Sequence, residues 1–562
     1  MRRAGEPAAE LPTFDFNSQA EAKNLSFGVG GSHMHGHRSL RFSTRAVRTA
    51  AAILVLGSLS LSDNAGAQAV SPSSSCERLT SASLPDTTFA SAQSVPAGAF
   101  TPPQSTAGAP AAALANLPAF CRVVAATRMS NSDVKFEVWL PQQGWTGDFQ
   151  PAGSSFWGGP LPFARMAEVL RTGAVTVGTN LGIEGFNGPS FAIDHPEKLQ
   201  NLKMDPLHAV VERARTLAER FYGSAPKFAV MNECGGGGSR DVLAMVQRFP
   251  QDLDAAVAVN FTNYGTRHGV SQMWLHDATH RSPDSFIPAS KLPIIHKAVL
   301  SACDMDDGVK DDVIENPKQC KFDPAVLQCK AADEASCLTA GQVAAVRRIY
   351  QTPRHAKTQE PFYGPMEPGS ELGWADMVAN DDPYRYSLTF YRYMVYKDPN
   401  WTYKARPANF DADLDRAESP ANVAINHTNP DLSGFVKRGG KLLLVGGWVD
   451  DLAPQNVVSY YENVVRTMGA DRMRESVRLF MVPGMHHCFG GTFPGAYQVD
   501  FDPVQAVRAW KTTGRAPDQI VVTTSGKGWP TRKRLVCAYP NVSKYKGSGD
   551  TADPSNFTCA GP

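Results

Sequence analysis

The stretch Lys227–Pro250, KFAVMNECGGGGSRDVLAMVQRFP, decides the fold of this chain. KFAVMN has the length and composition of a short buried strand. SRDVLAMVQRF follows with Val242, Leu243, Met245, Val246 and Phe249 spaced to share one helical face, as packing on a sheet requires. Between them stand four glycines, Gly235 to Gly238. Glycine adopts backbone angles closed to other residues, so the junction reads as a sharp strand-to-helix turn. A phosphate-cradling turn is the competing reading, but no G-K-[ST] lysine accompanies it, and no G-x-G-x-x-G precedes an acidic ribose ligand.

Working outward, VKFEVWLP alternates as a strand should, and GAVTVGTN, LDAAVAVN, KLLLVGGW and VRLFMVPG are short apolar runs bounded by turn residues. Helical patterns such as PLHAVVERARTLAERFYG lie between several of them. Strands alternating with helices predict an α/β fold with a largely parallel sheet. From residue 262 to 434 the alternation stops, giving way to long polar loops, four cysteines and many Trp and Tyr residues. That block reads as an inserted lid domain, with 119–261 and 435–562 forming the core and a Ser/Pro/Ala-rich leader over 68–118.

The 562 residues are enough for a large core plus an insertion. Lys and Arg number 55 against 54 Asp and Glu, a formal net charge of +1, so no global field attracts nucleic acid or an anionic membrane. Small neutral partners fit better. Arg45 and Arg48, an apolar run over Ala50–Leu61 and Ala65-Gly66-Ala67 make a secretory signal pattern, so residues 1–67 are set aside as signal peptide and upstream extension, with Met34 an alternative start. The apolar run is too short to span a bilayer, and no membrane association is expected after cleavage. Export to a secreted or periplasmic compartment makes an even count of ten cysteines read as five disulfides rather than a metal site.

In a hydrolase of this architecture the strand-to-helix turn presents the nucleophile, and the acid and the histidine follow in that chain order. Here Asp450 comes directly after KLLLVGGWV, and His487 lies in the loop PGMHHCFGG after a later strand. Each alone is an ordinary turn or loop residue, but the joint order points to a catalytic set. A bridge between Cys234 and Cys488 would clamp the two halves of such a site; an ordinary stabilising bridge is the alternative.

LPAFCRVVAATRMSNSDVKFEVWLPQQGWTGDF, SFAIDHPEKL, CDMDDGVKDDVIENPKQCKFDP, GGWVDDLAPQN, PGMHHC and FDPVQAVRAWKTTGRAPDQIV occur in that order from Leu117 to the C-terminus. Through them the chain resembles the tannase and feruloyl esterase family, which includes mono(2-hydroxyethyl) terephthalate hydrolases. The resemblance implies an α/β-hydrolase core with a large inserted lid and the hydrolysis of aromatic acid esters through an acyl-enzyme. It puts the acid at Asp450, the base at His487 and a disulfide at Cys234–Cys488. By the same family pattern Cys303–Cys320 and Cys329–Cys337 staple the lid, and Cys76–Cys121 and Cys537–Cys559 tie the termini. It carries a structural Ca²⁺ to the lid on Asp304, Asp307 and Asp311 with carbonyls of Val309 and Val313, oxygen donors that suit a hard cation.

The family's elbow runs G-C-S-x-G-G-R, so the nucleophile falls on Gly235, which has no side chain to attack a carbonyl. Three readings follow: Ser239, one residue beyond the family spacing, serves as substitute nucleophile, with helix N-cap its bland role; Cys234 acts as a free thiolate; or the protein is an impaired hydrolase that binds aromatic esters or acids, or lets His487 and Asp450 activate water. The resemblance assigns the oxyanion donors to Gly236 and to Gly153 or Ser154 in AGSSFWGG. Lid aromatics such as Trp374, Tyr386, Phe390 and Trp401 offer stacking surface for a small aromatic ester, and Arg392 or Lys397 could meet a carboxylate.

Overall fold

The structure is a computed structural model that describes residues 72–103, 111–129, 132–184, 188–490, 496–526 and 529–562. The signal pattern over 1–67 lies outside the described residues. Nine strands form one sheet in the order β1-β2-β3-β5-β4-β6-β7-β8-β9. They are β1 (Thr87–Val95), β2 (Phe120–Met129), β3 (Ser132–Pro141), β4 (Asp148–Pro151), β5 (Val175–Thr179), β6 (Phe228–Cys234), β7 (Ala255–Val259), β8 (Lys441–Gly447) and β9 (Val477–Val482). β1, β2, β3 and β5 pair antiparallel in succession. From β5 through β4, β6, β7 and β8 to β9 every pairing is parallel. This is the α/β-hydrolase core that the strand-helix alternation predicts.

The parallel strands are apolar on both faces because both are covered. Ala229, Met231, Ala256, Ala258, Leu442 and Leu444 pack with Val242, Met245 and Val457 from α1 (Gly235–Arg248) and α2 (Pro454–Met468). Their alternating neighbours Val230, Val257, Leu443, Val445 and Phe480 face the other way, onto Val507 and Trp510 of α3 (Pro503–Thr513). A one-residue slip in register would exchange these two sets.

The sequence reading placed residues 68–118 in a leader, and the structure differs at Thr87–Val95. That stretch is β1, paired along its length with β2 as the edge of the main sheet, and Cys76 is bonded to Cys121 at the start of β2. Its alternation was masked by small residues, since TTFASAQSV buries only Ala92. Between β7 and β8 the chain builds helices and irregular turns, including Gly265–His280, Leu292–Cys303 and Ala340–Ile349, over a separate apolar cluster around Ile287, Ile295, Val346 and Trp374. This segment belongs to the same compact unit as the sheet, Ala69–Pro562. Among the described residues no helix is long and apolar enough to cross a membrane.

Candidate active site

Three loops leave the C-terminal ends of neighbouring parallel strands and meet at one point, where open α/β sheets form their ligand crevices. β6 ends at Cys234, and α1 starts at once with Gly235 at φ +82°. That angle lies in the left-handed region where a side chain is strained, so glycine fits the bend easily. β8 runs into Asp450, and β9 into the loop carrying His487 and Cys488. Cys234 and Cys488 are disulfide-bonded, as are Cys76–Cys121, Cys303–Cys320, Cys329–Cys337 and Cys537–Cys559, and no cysteine is free. The Cys234–Cys488 bridge spans 254 residues of sequence and holds the elbow against the histidine loop.

His487 Nδ1 lies 3.2 Å from Asp450 Oδ1 and 3.8 Å from Asp451 Oδ1. Asp450 is buried, its Oδ1 accepts the Leu452 N–H at 3.0 Å, and its Oδ2 accepts from Asn260 Nδ2. Asn260 also donates to the His486 carbonyl at 3.1 Å, joining the end of β7 to the loops that carry Asp450 and His487. Burial alone would lower the pKa of His487, but the charge and hydrogen bond of Asp450, with Asp451 behind them, raise it to about 9. Burial pushes Asp450 upward against the pull of the imidazole. An imidazole whose Nδ1 proton is held by a carboxylate presents its Nε2 lone pair outward.

That lone pair faces Gly235. A Cβ built on Gly235 would lie 2.9 Å from His487 Nε2 and 3.5 Å from Cys488 Sγ. Position 235 is therefore where a side chain would meet the base, as the family elbow implies. The Gly236 N–H belongs to the first turn of α1, where amides have no intrahelical acceptor and the helix dipole favours negative charge. A Cβ on Gly236 would touch the Phe156 ring at 3.1 Å and Thr262 Oγ1 at 3.3 Å. Phe156 stacks edge-on against Tyr386 at 4.8 Å, and Trp157 lies 5.9 Å from Tyr386 and 6.5 Å from Phe390. His268 packs 5.0 Å from Tyr386, and burial lowers its pKa to about 4, so it is neutral.

Several expectations need correction. Ser239 is fully buried inside α1; its one hydroxyl proton is shared between the Glu233 and Val259 carbonyls, 2.6 and 2.7 Å from Oγ, and its oxygen accepts the Val259 N–H at 3.0 Å. It fastens α1 to β6 and β7, and is neither a nucleophile nor an N-cap; the helix starts four residues earlier because the glycines themselves are helical. Cys234 is no thiolate, since its sulfur is bonded to Cys488. Gly153 and Ser154 do not offer their amides to an oxyanion: Gly153 N–H donates to Glu233 Oε1 at 2.9 Å and Ser154 N–H to Asp241 Oδ2 at 2.8 Å. Arg392 donates through Nε to the Trp401 carbonyl at 2.9 Å, and Lys397 is exposed. Of the lid aromatics, Trp374, Trp401 and Phe390 are core, whereas the half-buried Tyr386 packs against Trp157.

The acidic lid loop has the donor chemistry of a hard-cation site. Asp307 and Asp304 are pushed up by burial, the charge of Asp311 adds to both and that of Asp304 adds to Asp307, which reaches about 6. Asp311 Oδ1 is buried without a hydrogen-bond partner. Part of the set is already engaged: Asp304 Oδ1 accepts the Asp311 and Val313 N–H groups at 3.2 Å, Asp307 Oδ1 accepts the Val309 N–H at 2.9 Å, and Asp311 Oδ2 pairs with Arg534. Carboxylate oxygens are the donors a hard cation takes, but the three do not all converge within 4.8 Å of one another, and Arg534 already neutralises Asp311.

A family profile described as Tannase and feruloyl esterase matches residues 121–560. The chain belongs to this family. An uncharacterized esterase from Xanthomonas campestris pv. campestris is 33% identical over 534 residues, covering 87% of this chain and 92% of that protein. A probable feruloyl esterase B-1 from Aspergillus flavus is 32% identical over 468 residues, covering 78% of this chain and 86% of its own. The crystal structure of feruloyl esterase B from Aspergillus oryzae matches with a TM-score of 0.75 at 27% identity, over 86% of this chain and 100% of that one. Tannin acyl hydrolase from Aspergillus niger shares the fold, with a TM-score of 0.70 at 18% identity over 86% of this chain and 94% of that one. Membership makes the chain a relative of carboxylic ester hydrolases, and ester substrates are what the family implies.

Sequence reasoning missed Asn260, Asp451 and the buried pair Glu233 and Asp241. Asn260 was visible as a polar residue ending the strand AVAVN, the position that faces a crevice in a parallel sheet. Glu233 stands where the family elbow has glycine, a departure readable from the sequence alone.

Proposed function

We propose that this chain is a secreted or periplasmic carboxylic ester hydrolase of the tannase and feruloyl esterase type, directed at aromatic (phenolic) acid esters. Gly235 replaces the serine nucleophile, and the chemistry falls to the pair His487 and Asp450. The observation that carries this reading is the imidazole poised 2.9 Å from the Cβ position of Gly235, with Asp450 behind it and Cys234–Cys488 fixing the approach. Phe156, Trp157 and Tyr386 supply aromatic walls beside the elbow, and Gly236 N–H is the oxyanion donor. Loss of a serine nucleophile costs about 10⁶ in turnover in the subtilisin example, with a residual ~10³ to 10⁴ over water from binding and the oxyanion hole. Turnover is accordingly slow.

The second reading is a protein that binds aromatic esters or acids without turnover, favoured by the burial of Ser239, which takes away the serine offered as substitute nucleophile. Residues 262–434 act as the lid in both readings, and a Ca²⁺ held by Asp304, Asp307 and Asp311, with carbonyls of Val309 and Val313, braces it. Hydrolysis of methyl ferulate, methyl gallate and phenyl ferulate by the parent and a His487→Ala variant, together with calorimetric titration of ferulate and gallate, tests the proposal. Slow hydrolysis lost in the variant supports it; binding alone selects the second reading; neither hydrolysis nor binding refutes both.

A further inference from the structure

We propose that His487 is itself the nucleophile, forming an acyl-imidazole on Nε2, and that the esters it turns over are aryl esters, whose leaving group is a phenol. This rests on the reading of the site as an ester-hydrolysing one.

The glycine does more than remove a hydroxyl. A Cβ at position 235 would stand 2.9 Å from Nε2, closer than ordinary side-chain contacts, so the imidazole sits in space from which a side chain at 235 would push it back. With Nδ1 held by Asp450 at 3.2 Å, the Nε2 lone pair points to where a hydroxyl would have attacked. The ring is 31% exposed at its side chain, open enough to meet a carbonyl, while the disulfide between Cys234 and Cys488 prevents its loop from retreating.

The steps balance without a further reagent. The Nε2 lone pair bonds to the acyl carbon, and the carbonyl π electrons move to its oxygen, beside the Gly236 N–H. That intermediate collapses as the bond from acyl carbon to phenol oxygen breaks, and the electron pair leaves on the phenolate. The resulting acyl-imidazolium keeps its Nδ1 proton against Asp450. Water then adds to the acyl carbon and gives a proton to solvent, and the C–Nε2 bond breaks to release the acid and neutral His487. Net, one ester and one water yield one acid and one phenol.

The leaving group sets the substrate class. A nitrogen nucleophile partitions forward only when the departing oxygen is not much more basic than itself. A phenol, at roughly 10 as in tyrosine, satisfies this. An alkanol, close to water at about 15.7, does not, and the nitrogen is expelled instead. The raised pKa of His487, about 9, makes its free-base form a stronger nucleophile than an ordinary imidazole.

The test uses the wild-type chain with its disulfides intact and the phenyl and ethyl esters of ferulic acid. Stopped-flow spectra should show the red-shifted transient of a feruloyl imidazole, trapped by hydroxylamine as the hydroxamate, and the phenyl ester should exceed the ethyl ester by at least ~100-fold in kcat/KM. Gly235→Ala, which puts a methyl group against Nε2, should abolish the transient. Hydrolysis without the transient, or without aryl preference, overturns the acyl-imidazole and leaves the hydrolase reading standing. Binding of either ester without hydrolysis overturns it in favour of a binding protein. Neither binding nor hydrolysis removes the functional reading itself.

Discussion

Gly235→Ser should turn a slow protein into a fast esterase, at a measurable cost in stability. The backbone there has φ +82°, so any side chain adds strain of about 1–3 kcal/mol. The new Cβ would start 2.9 Å from His487 Nε2. The imidazole must therefore back away by several tenths of an ångström, to ~3.4 Å or more, before contact is ordinary. The ring has room to do so on its exposed side, because only Nδ1 is anchored. The serine hydroxyl then falls within hydrogen-bond reach of Nε2, the geometry of an activated nucleophile. Reversing part of the ~10⁶ loss caused by removing such a serine, an increase in kcat of at least ~10³ is expected on methyl ferulate or methyl gallate. The variant should also label with a fluorophosphonate at residue 235, whereas the parent should not. Gly235→Ala controls for strain: it should lose the same stability and gain nothing. A Ser variant that keeps its fold and the Cys234–Cys488 bridge, yet shows neither gain nor labelling, would refute the assignment of position 235.

Ser239→Ala should destabilise the protein by about 1–3 kcal/mol in denaturant titration, because it leaves the Val259 N–H buried without an acceptor, and should not change fluorophosphonate labelling. Activity should rise with pH through neutrality and level off near 9, since the charge and hydrogen bond of Asp450 outweigh burial and leave His487 protonated below that value; a plateau already at pH 7 would contradict the ion pair. Glu367 has its pKa raised to about 7 by burial, so its folded form holds the proton more tightly than the unfolded chain. The stability linked to it is fully present below the ordinary 4.5 and lost as pH rises through 7. Glu367→Gln should accordingly raise Tm relative to the parent at pH 8 and not at pH 4. Adding Ca²⁺ at 100 times its Kd should stabilise the parent by about 2.7 kcal/mol and leave an Asp307→Ala variant unmoved in thermal melts.

Much of the architecture was legible because it depends on local pattern. Apolar runs of strand length alternating with helical patterns specify a parallel sheet, and the order of elbow, Asp450 and His487 follows from where those runs end. β1 escaped for a physical reason: an edge strand of Thr, Ser, Ala and Gln, mostly facing solvent, carries almost no alternation to read. The cysteine pairing is a matter of three-dimensional approach, and apart from Cys234–Cys488, suggested by its place beside both candidate residues, only the resemblance offered it in advance.

The elbow was the hardest part to read, and it shows why composition misleads there. Four glycines in a row look like a flexible turn, yet only Gly235 has the positive φ of a bend, and α1 begins with Gly235 itself. What each glycine supplies is room. A Cβ on Gly237 would collide with the Phe156 amide at 2.6 Å, and one on Gly238 would lie 2.9 Å from Glu233 Oε2. Glu233, in turn, is a buried carboxyl whose Oε1 accepts the Gly153 amide and pairs with Arg165. Burial raises its pKa, and Arg165 pulls the other way. Glycine at 238 and the carboxyl at 233 are thus one arrangement: the side chain absent from the helix leaves the volume that the acid fills. The same acid takes up the amide that the family pattern would aim at an oxyanion. On the proposed reading the site departs from the pattern the resemblance implies in two coupled places, the nucleophile and the second oxyanion donor. Restoring only the serine leaves Gly236 N–H to meet the developing charge alone. Because removing one oxyanion donor costs about 10² to 10³ in turnover, Gly235→Ser should stay that far below an intact relative, and Glu233→Gly in its background should recover part of the gap.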